Sequence, residues 1–360
     1  MRGKITCRLY FLAAIACLLL NSCKTPEKEA DPCCQATDLE PGTDVPSGQG
    51  ALQVNGTADA YFYVFDADGR QVNYKSLNKL LALPPGDYQA RVAGSSHSVG
   101  IRAGKLTTCA TGGLLVTGST SDYYYVLDTA QNQLSYDGLG KTTSLFQSSY
   151  FVKVNASVAP VAIEISRVKD VATGTILVHG TTDEYYYVLD EAGNQLNYQG
   201  IEKPLAFHPG RYKVKVNNSM VSAVVEGGRS AELTTGTLLV KGLTDEYYYV
   251  SDASGTQLNY QGLNKPLAFF PNSYNVKVNG SMAAATVVAG TVSSAETGSV
   301  VVPGTGDDYY YVLDMNGTQL NYSALTKPLS FFPGEYTVRL GTATRNVKIE
   351  PGREQPVEFR

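Results

Sequence analysis

Tyr185-Tyr186-Tyr187-Val188-Leu189-Asp190-Glu191-Ala192-Gly193-Asn194-Gln195-Leu196-Asn197-Tyr198 reads as strand, turn and strand. The opening five residues are rich in aromatic and β-branched side chains and free of glycine and proline, which suits a half-buried pleated surface. Asp190 at the first corner and Gly193 at the fourth fit a type I turn, and a following bulge makes it a hairpin. With Asp190 opposite Asn194, Val188 faces Leu196 and Tyr186 faces Tyr198 on one side. Tyr187 then faces Asn197, and Leu189 faces Gln195, on the other, because side chains alternate with a period of two.

The same phrase occurs five times. Its third tyrosine falls at Tyr63, Tyr125, Tyr187, Tyr249 and Tyr311, and a glycine opens each copy at Gly50, Gly112, Gly174, Gly236 and Gly298, always 62 residues on. A fixed period without insertion marks a tandem array of one supersecondary unit. The copies also assign faces. Tyr186 becomes Phe62 in the first copy, losing its hydroxyl, while Val188 is valine in all five. The side holding Tyr186, Val188, Leu196 and Tyr198 is therefore expected in the core, with Tyr185, Tyr187, Gln195 and Asn197 outward.

In the third copy Ile176-Leu177-Val178 precedes the hairpin and Pro204-Leu205-Ala206-Phe207 follows it. Pro209-Gly210 then turns the chain into Tyr212-Lys213-Val214-Lys215-Val216, the cleanest alternation in the sequence. Asn217-Asn218-Ser219 turns again, and Ala223-Val224-Val225 and Ala231-Glu232-Leu233 close the unit. No segment has an apolar period of 3.6. The expected fold class is all-β, with five tandem 62-residue antiparallel β-sandwich modules in a row, at 49–110, 111–172, 173–234, 235–296 and 297–360. Five such modules reach on the order of 130 Å. The alternative is a five-bladed β-propeller. Blades need fewer strands, and the last copy here finishes its own, which favours the row.

Leu205 to Val216, as Leu-x-Phe-x-Pro-Gly-x-Tyr-x-Val-x-Val, resembles the strand–turn–strand of prealbumin-like and immunoglobulin-like sandwich modules in bacterial surface proteins. The PEGA and carboxypeptidase-regulatory-like modules are similar. The likeness covers a minor part of each module, and the Pro-Glu-Gly-Ala string of PEGA is missing. The second copy departs furthest, with Gln147-Ser148 in place of Pro-Gly. The resemblance implies a two-sheet sandwich in which Tyr212 forms a tyrosine corner, its hydroxyl bonding back to the turn backbone.

At the N-terminus Arg2, Lys4 and Arg8 precede an apolar run from Leu9 to Leu20, too short to span a bilayer and suited to a secretory leader. Leu20-Asn21-Ser22-Cys23 resembles the lipobox of bacterial lipoproteins. That resemblance implies a signal peptide over 1–22, acylation of Cys23, a lipid anchor in the membrane, and an outer-membrane or cell-surface location. Residues 23–48 hold four prolines and six acidic residues and are expected to be a disordered tether.

A net charge of −4 over 360 residues, without a basic stripe, excludes a nucleic-acid partner. Cys33, Cys34 and Cys109 remain once the leader's Cys7 and Cys17 and the anchor Cys23 are set aside. Val171, Leu233, Ala295 and Val357 stand where Cys109 does, so a small core residue is one reading of it. The other is that Cys33 or Cys34 pins the tether to the first module or links two chains.

Catalysis is not expected. His97, His179 and His208 do not recur between copies and read as surface residues, and no nucleophile, metal or phosphate-binding motif is present. No cofactor and no metal are expected. The acidic pairs Asp183-Glu184, Asp245-Glu246 and Asp307-Asp308 read as a solvated loop, too poor in oxygens for calcium. The tyrosines are the exception. Tyr123, Tyr125, Tyr185, Tyr187, Gln195, Asn197, Tyr247, Tyr249, Gln257, Asn259, Tyr309, Tyr311, Gln319 and Asn321 are expected to form outward patches of flat rings beside amides. Such patches suit a glycan or a surface protein, as adhesion or multivalent binding, a spacer without ligand being the competing expectation.

Overall fold

A computed structural model of the protein describes residues 31–359. The expected signal peptide and the acylated Cys23 lie outside the described residues. Among those described, every regular element is a strand.

Each module is a sandwich of two sheets. In the third, the opening strand Gly174–His179 lies between Leu205–Phe207, antiparallel to it, and Ser230–Thr234, parallel to it. The facing sheet is antiparallel throughout and runs in the order Gln195–Gly200, Tyr185–Leu189, Gly210–Val216, Ser219–Val225. Tyr212, Val214 and Val216 point inward and meet Ile176, Val178, Tyr186, Val188, Leu205 and Phe207 in one core. Full burial of each such side chain stabilises by about 1.5–3 kcal/mol.

The five period-marking glycines have a packing cause. A Cβ on Gly174 would sit 2.1 Å from the Glu226 carbonyl oxygen, and the other four meet a backbone oxygen just as closely. The opening strand can start against the opposite sheet only without a side chain. Tyr212 forms the expected corner, its hydroxyl donating to the His208 carbonyl at 2.7 Å. Asp190 keeps its turn. Gly193 N–H donates to its carbonyl at 3.0 Å, and Asn194 N–H to its carboxylate at 2.8 Å.

The hairpin register differs from expectation. Leu189 pairs with Gln195 but Val188 pairs with Asn197, so Leu196 is the extra residue of a bulge. Beyond it every pairing moves by one. Tyr187 faces Tyr198, and Tyr186 faces Gln199. Tyr198 is therefore exposed rather than in the core, and Asn197 turns away from the tyrosines.

The expectation of a disordered 23–48 is corrected at Cys34–Asp38. This strand pairs antiparallel with Lys105–Ala110 and is tied to it by a Cys34–Cys109 disulfide. The Cys109 side chain is both fully buried and bridged, while Cys33 is buried and free. Hydrogen bonds between modules join successive neighbours, and among the described residues none closes the fifth onto the first. The row stands, and the propeller does not.

Candidate functional site

The bulge builds the tyrosine face. On the outer side of the third module, Tyr198 meets Tyr185 edge-on at 5.7 Å and lies over Tyr187 at the same centroid distance with planes 30° apart. Tyr185 is 54 % exposed and Tyr198 53 %, while Tyr187 is half-buried. The Lys215 ammonium covers the Tyr187 ring at 5.2 Å, a cation–π contact that fixes the ring from its other side. The same triad recurs as Tyr61, Tyr63 and Tyr74, as Tyr123, Tyr125 and Tyr136, as Tyr247, Tyr249 and Tyr260, and as Tyr309, Tyr311 and Tyr322. These rings pack on one another within a module.

Beside them, the middle tyrosine of each run points the opposite way. Tyr186 is fully buried, and its hydroxyl donates toward the Lys203 carbonyl at 2.6 Å and the Ile176 carbonyl at 3.0 Å. Burial pushes its phenol far above the ordinary tyrosine value, so it stays a neutral donor.

Of the expected patch, Tyr123, Tyr125, Tyr185, Tyr187, Tyr247, Tyr249, Tyr309 and Tyr311 stand on this face. Gln195, Gln257 and Gln319 are exposed where the return strand leaves the turn. Asn197, Asn259 and Asn321 are elsewhere. Each donates its amide across a module boundary, to Asn155, Asn217 and Asn279, at 2.6–2.7 Å.

Those turn asparagines are the centre of a latch that the sequence reading missed. Asn217, first residue of a hairpin turn with positive φ at both central positions, donates to Glu184 of its own module and to the Ala268 carbonyl of the next. Glu184 then accepts the Ala268 N–H at 2.7 Å. Asp122 and Glu246 do the same for Ala206 and Ser330. Asp122, Glu184 and Glu246 are thus junction residues, not part of a solvated loop, while Asp308 of the last pair is exposed as expected. An aromatic ring completes the seam: Phe146, Phe270 and Phe332 each insert into the core of the preceding module. Their N–H groups donate to Ser95, Ser219 and Ser281 at 3.0–3.1 Å.

His208 occupies this plug position between the second and third modules and is buried, not on the surface. Its Nε2 contacts the Val152 carbonyl at 2.9 Å, while Nδ1 has no partner. Desolvation lowers its pKa below the usual histidine value, although the bond to Val152 opposes this. The signal for the latch is legible in retrospect. Ala93 and Gly341 stand in the first and last copies where the inner copies have asparagine.

No described protein family matches the chain, and no curated protein matches it. Among solved structures, the Bacillus anthracis TIE protein is 11 % identical, with 93 % of this chain and 76 % of that one covered and a TM-score of 0.18. The pilus adhesin SpaC from Lactobacillus rhamnosus GG, in its open conformation, is 11 % identical over 80 % of this chain and 44 % of its own, with a TM-score of 0.18. A variant of BcpA, the major pilin subunit of Bacillus cereus, is 12 % identical over 86 % and 99 %, with a TM-score of 0.16. At these TM-scores the likeness carries nothing about what this chain does.

Proposed function

We propose that the chain is a non-enzymatic, lipid-anchored repeat protein of the bacterial outer membrane or cell surface that binds through its tyrosine faces. The observation that supports this most is the Tyr185–Tyr187–Tyr198 triad, with two rings more than half exposed. The core is complete without these rings, which offer flat, amphipathic contact area at low entropic cost. Adhesion to a repetitive surface, protein or glycan, is the reading the array favours. Five weak sites held in fixed order gain by avidity, on the order of 10²–10⁴ over one site when the target repeats at a matching spacing.

Replacing Tyr185, Tyr187 and Tyr198 and their counterparts with serine in the full chain, then measuring binding to glycan arrays and immobilised matrix proteins, tests this. Loss of binding in a folded variant supports it. Binding that survives the replacement, or its absence in the parent, refutes it. The second reading, an envelope spacer without ligand, is favoured by the latched seams, which stiffen a row whatever it carries.

A further inference from the structure

Three residues that break the repeat converge on one place. Cys109 stands where the other copies have Val171, Leu233, Ala295 and Val357, and it tethers Cys34. His97 stands where they have Ala159, Val221, Ala283 and Arg345. Gln147 replaces the proline of Pro85, Pro209, Pro271 and Pro333, which restores a backbone N–H. That N–H faces the thiol of Cys33. All three departures are explained by the N-terminal segment that lies across the seam between the first and second modules.

The segment brings a donor set with it. Asp31 Oδ2 lies 2.7 Å from His97 Nε2, and its other oxygen accepts the Cys33 N–H at 2.9 Å. The ligand atoms of Asp31, Cys33 and His97 all lie within 4.8 Å of one another, and no other such group occurs among the described residues. The Cys33 thiol is unbonded to sulfur and over nine-tenths buried, while the His97 ring packs against Phe146 of the second module at 5.4 Å.

We propose that Asp31, Cys33 and His97 bind a divalent transition metal of borderline softness, zinc above all. Sulfur at about 2.3 Å, imidazole nitrogen at about 2.0 Å and carboxylate oxygen at about 2.0–2.2 Å are its ordinary tetrahedral ligands. Oδ2 and Nε2 exchange their mutual hydrogen bond for the ion, with His97 neutral. The Cys33 proton leaves to solvent, and a water fills the fourth position. Once bound, the ion clamps residues 31–33 to the first module beside the disulfide. The end of the row nearest the proposed anchor is thereby held at two points.

The test uses the full chain in detergent, stripped of metal and titrated with Co²⁺ alone. The thiolate-to-cobalt charge-transfer band is expected at one equivalent, lost on adding Zn²⁺. Cys33→Ser removes it. His97→Ala, the residue two other copies carry, weakens binding by on the order of 100-fold or more while the Cys34–Cys109 bridge stays intact. Absence of the band in the parent overturns the proposal. So does a band that His97→Ala leaves unchanged.

Discussion

Asn259 of the fourth module donates to Asn217 of the third at 2.6 Å, and Asn217 passes the contact on to Glu184 and to the Ala268 carbonyl. One side chain thus satisfies polar groups on two strands and a loop of two modules. Asn217→Ala leaves the Asn259 amide and the Ala268 carbonyl unpaired at a half-closed seam, a loss of about 2 kcal/mol. Calorimetry of the full chain is expected to show one transition broaden or split as the third and fourth modules uncouple. With Asn259→Ala in the same chain the losses should be less than additive.

His208 gives the seam between the second and third modules a pH dependence. Burial depresses its folded pKa, so the unfolded chain binds the proton more readily. The histidine's contribution is complete above the ordinary histidine value near 6.5 and is lost as pH falls below it toward the folded value. His208→Phe copies Phe146, Phe270 and Phe332 and removes the unpartnered Nδ1. Melting at pH 5 should rise relative to the parent by more than at pH 8. Equal shifts at both values would show that the ring does not titrate on unfolding.

The period of 62 exposes the modules because every copy must close the same core, and Val188 and Tyr212 obey that constraint in plain alternation. The tyrosine face was legible only in part. A bulge at Leu196 changes no composition, yet it turns Tyr198 outward and sends Asn197 to the seam. The latch was hidden for a different reason. Asparagine within a tight turn already has a local explanation, because it tolerates the left-handed φ seen at Asn155, Asn217 and Asn279, so its presence there carries no separate signal of a seam. The Cys34 bridge joins residues 75 apart, a choice that spacing alone cannot make between two adjacent cysteines.

That bridge should act locally. Closing so long a loop is worth about 4 kcal/mol by chain entropy. Cys34→Ser with Cys109→Val, valine being the residue of the second and fifth copies, is expected to free the strand Cys34–Asp38. Hydrogen exchange should quicken at Thr37 and at its ladder partner Leu106, and stay unchanged from the third module onward.

Neighbouring tyrosines of one run should respond in opposite ways. Tyr186→Ala opens a cavity in the core and strands the carbonyls of Lys203 and Ile176, a loss of about 3–5 kcal/mol. Tyr187→Ala removes only a contact with Tyr198 and the Lys215 cation, a loss of about 1 kcal/mol. Urea unfolding of the two variants measures the contrast. A Tyr187 variant as unstable as the Tyr186 one would make the outer rings structural and remove the reason to assign them to binding. A stable one leaves a face that folding does not require.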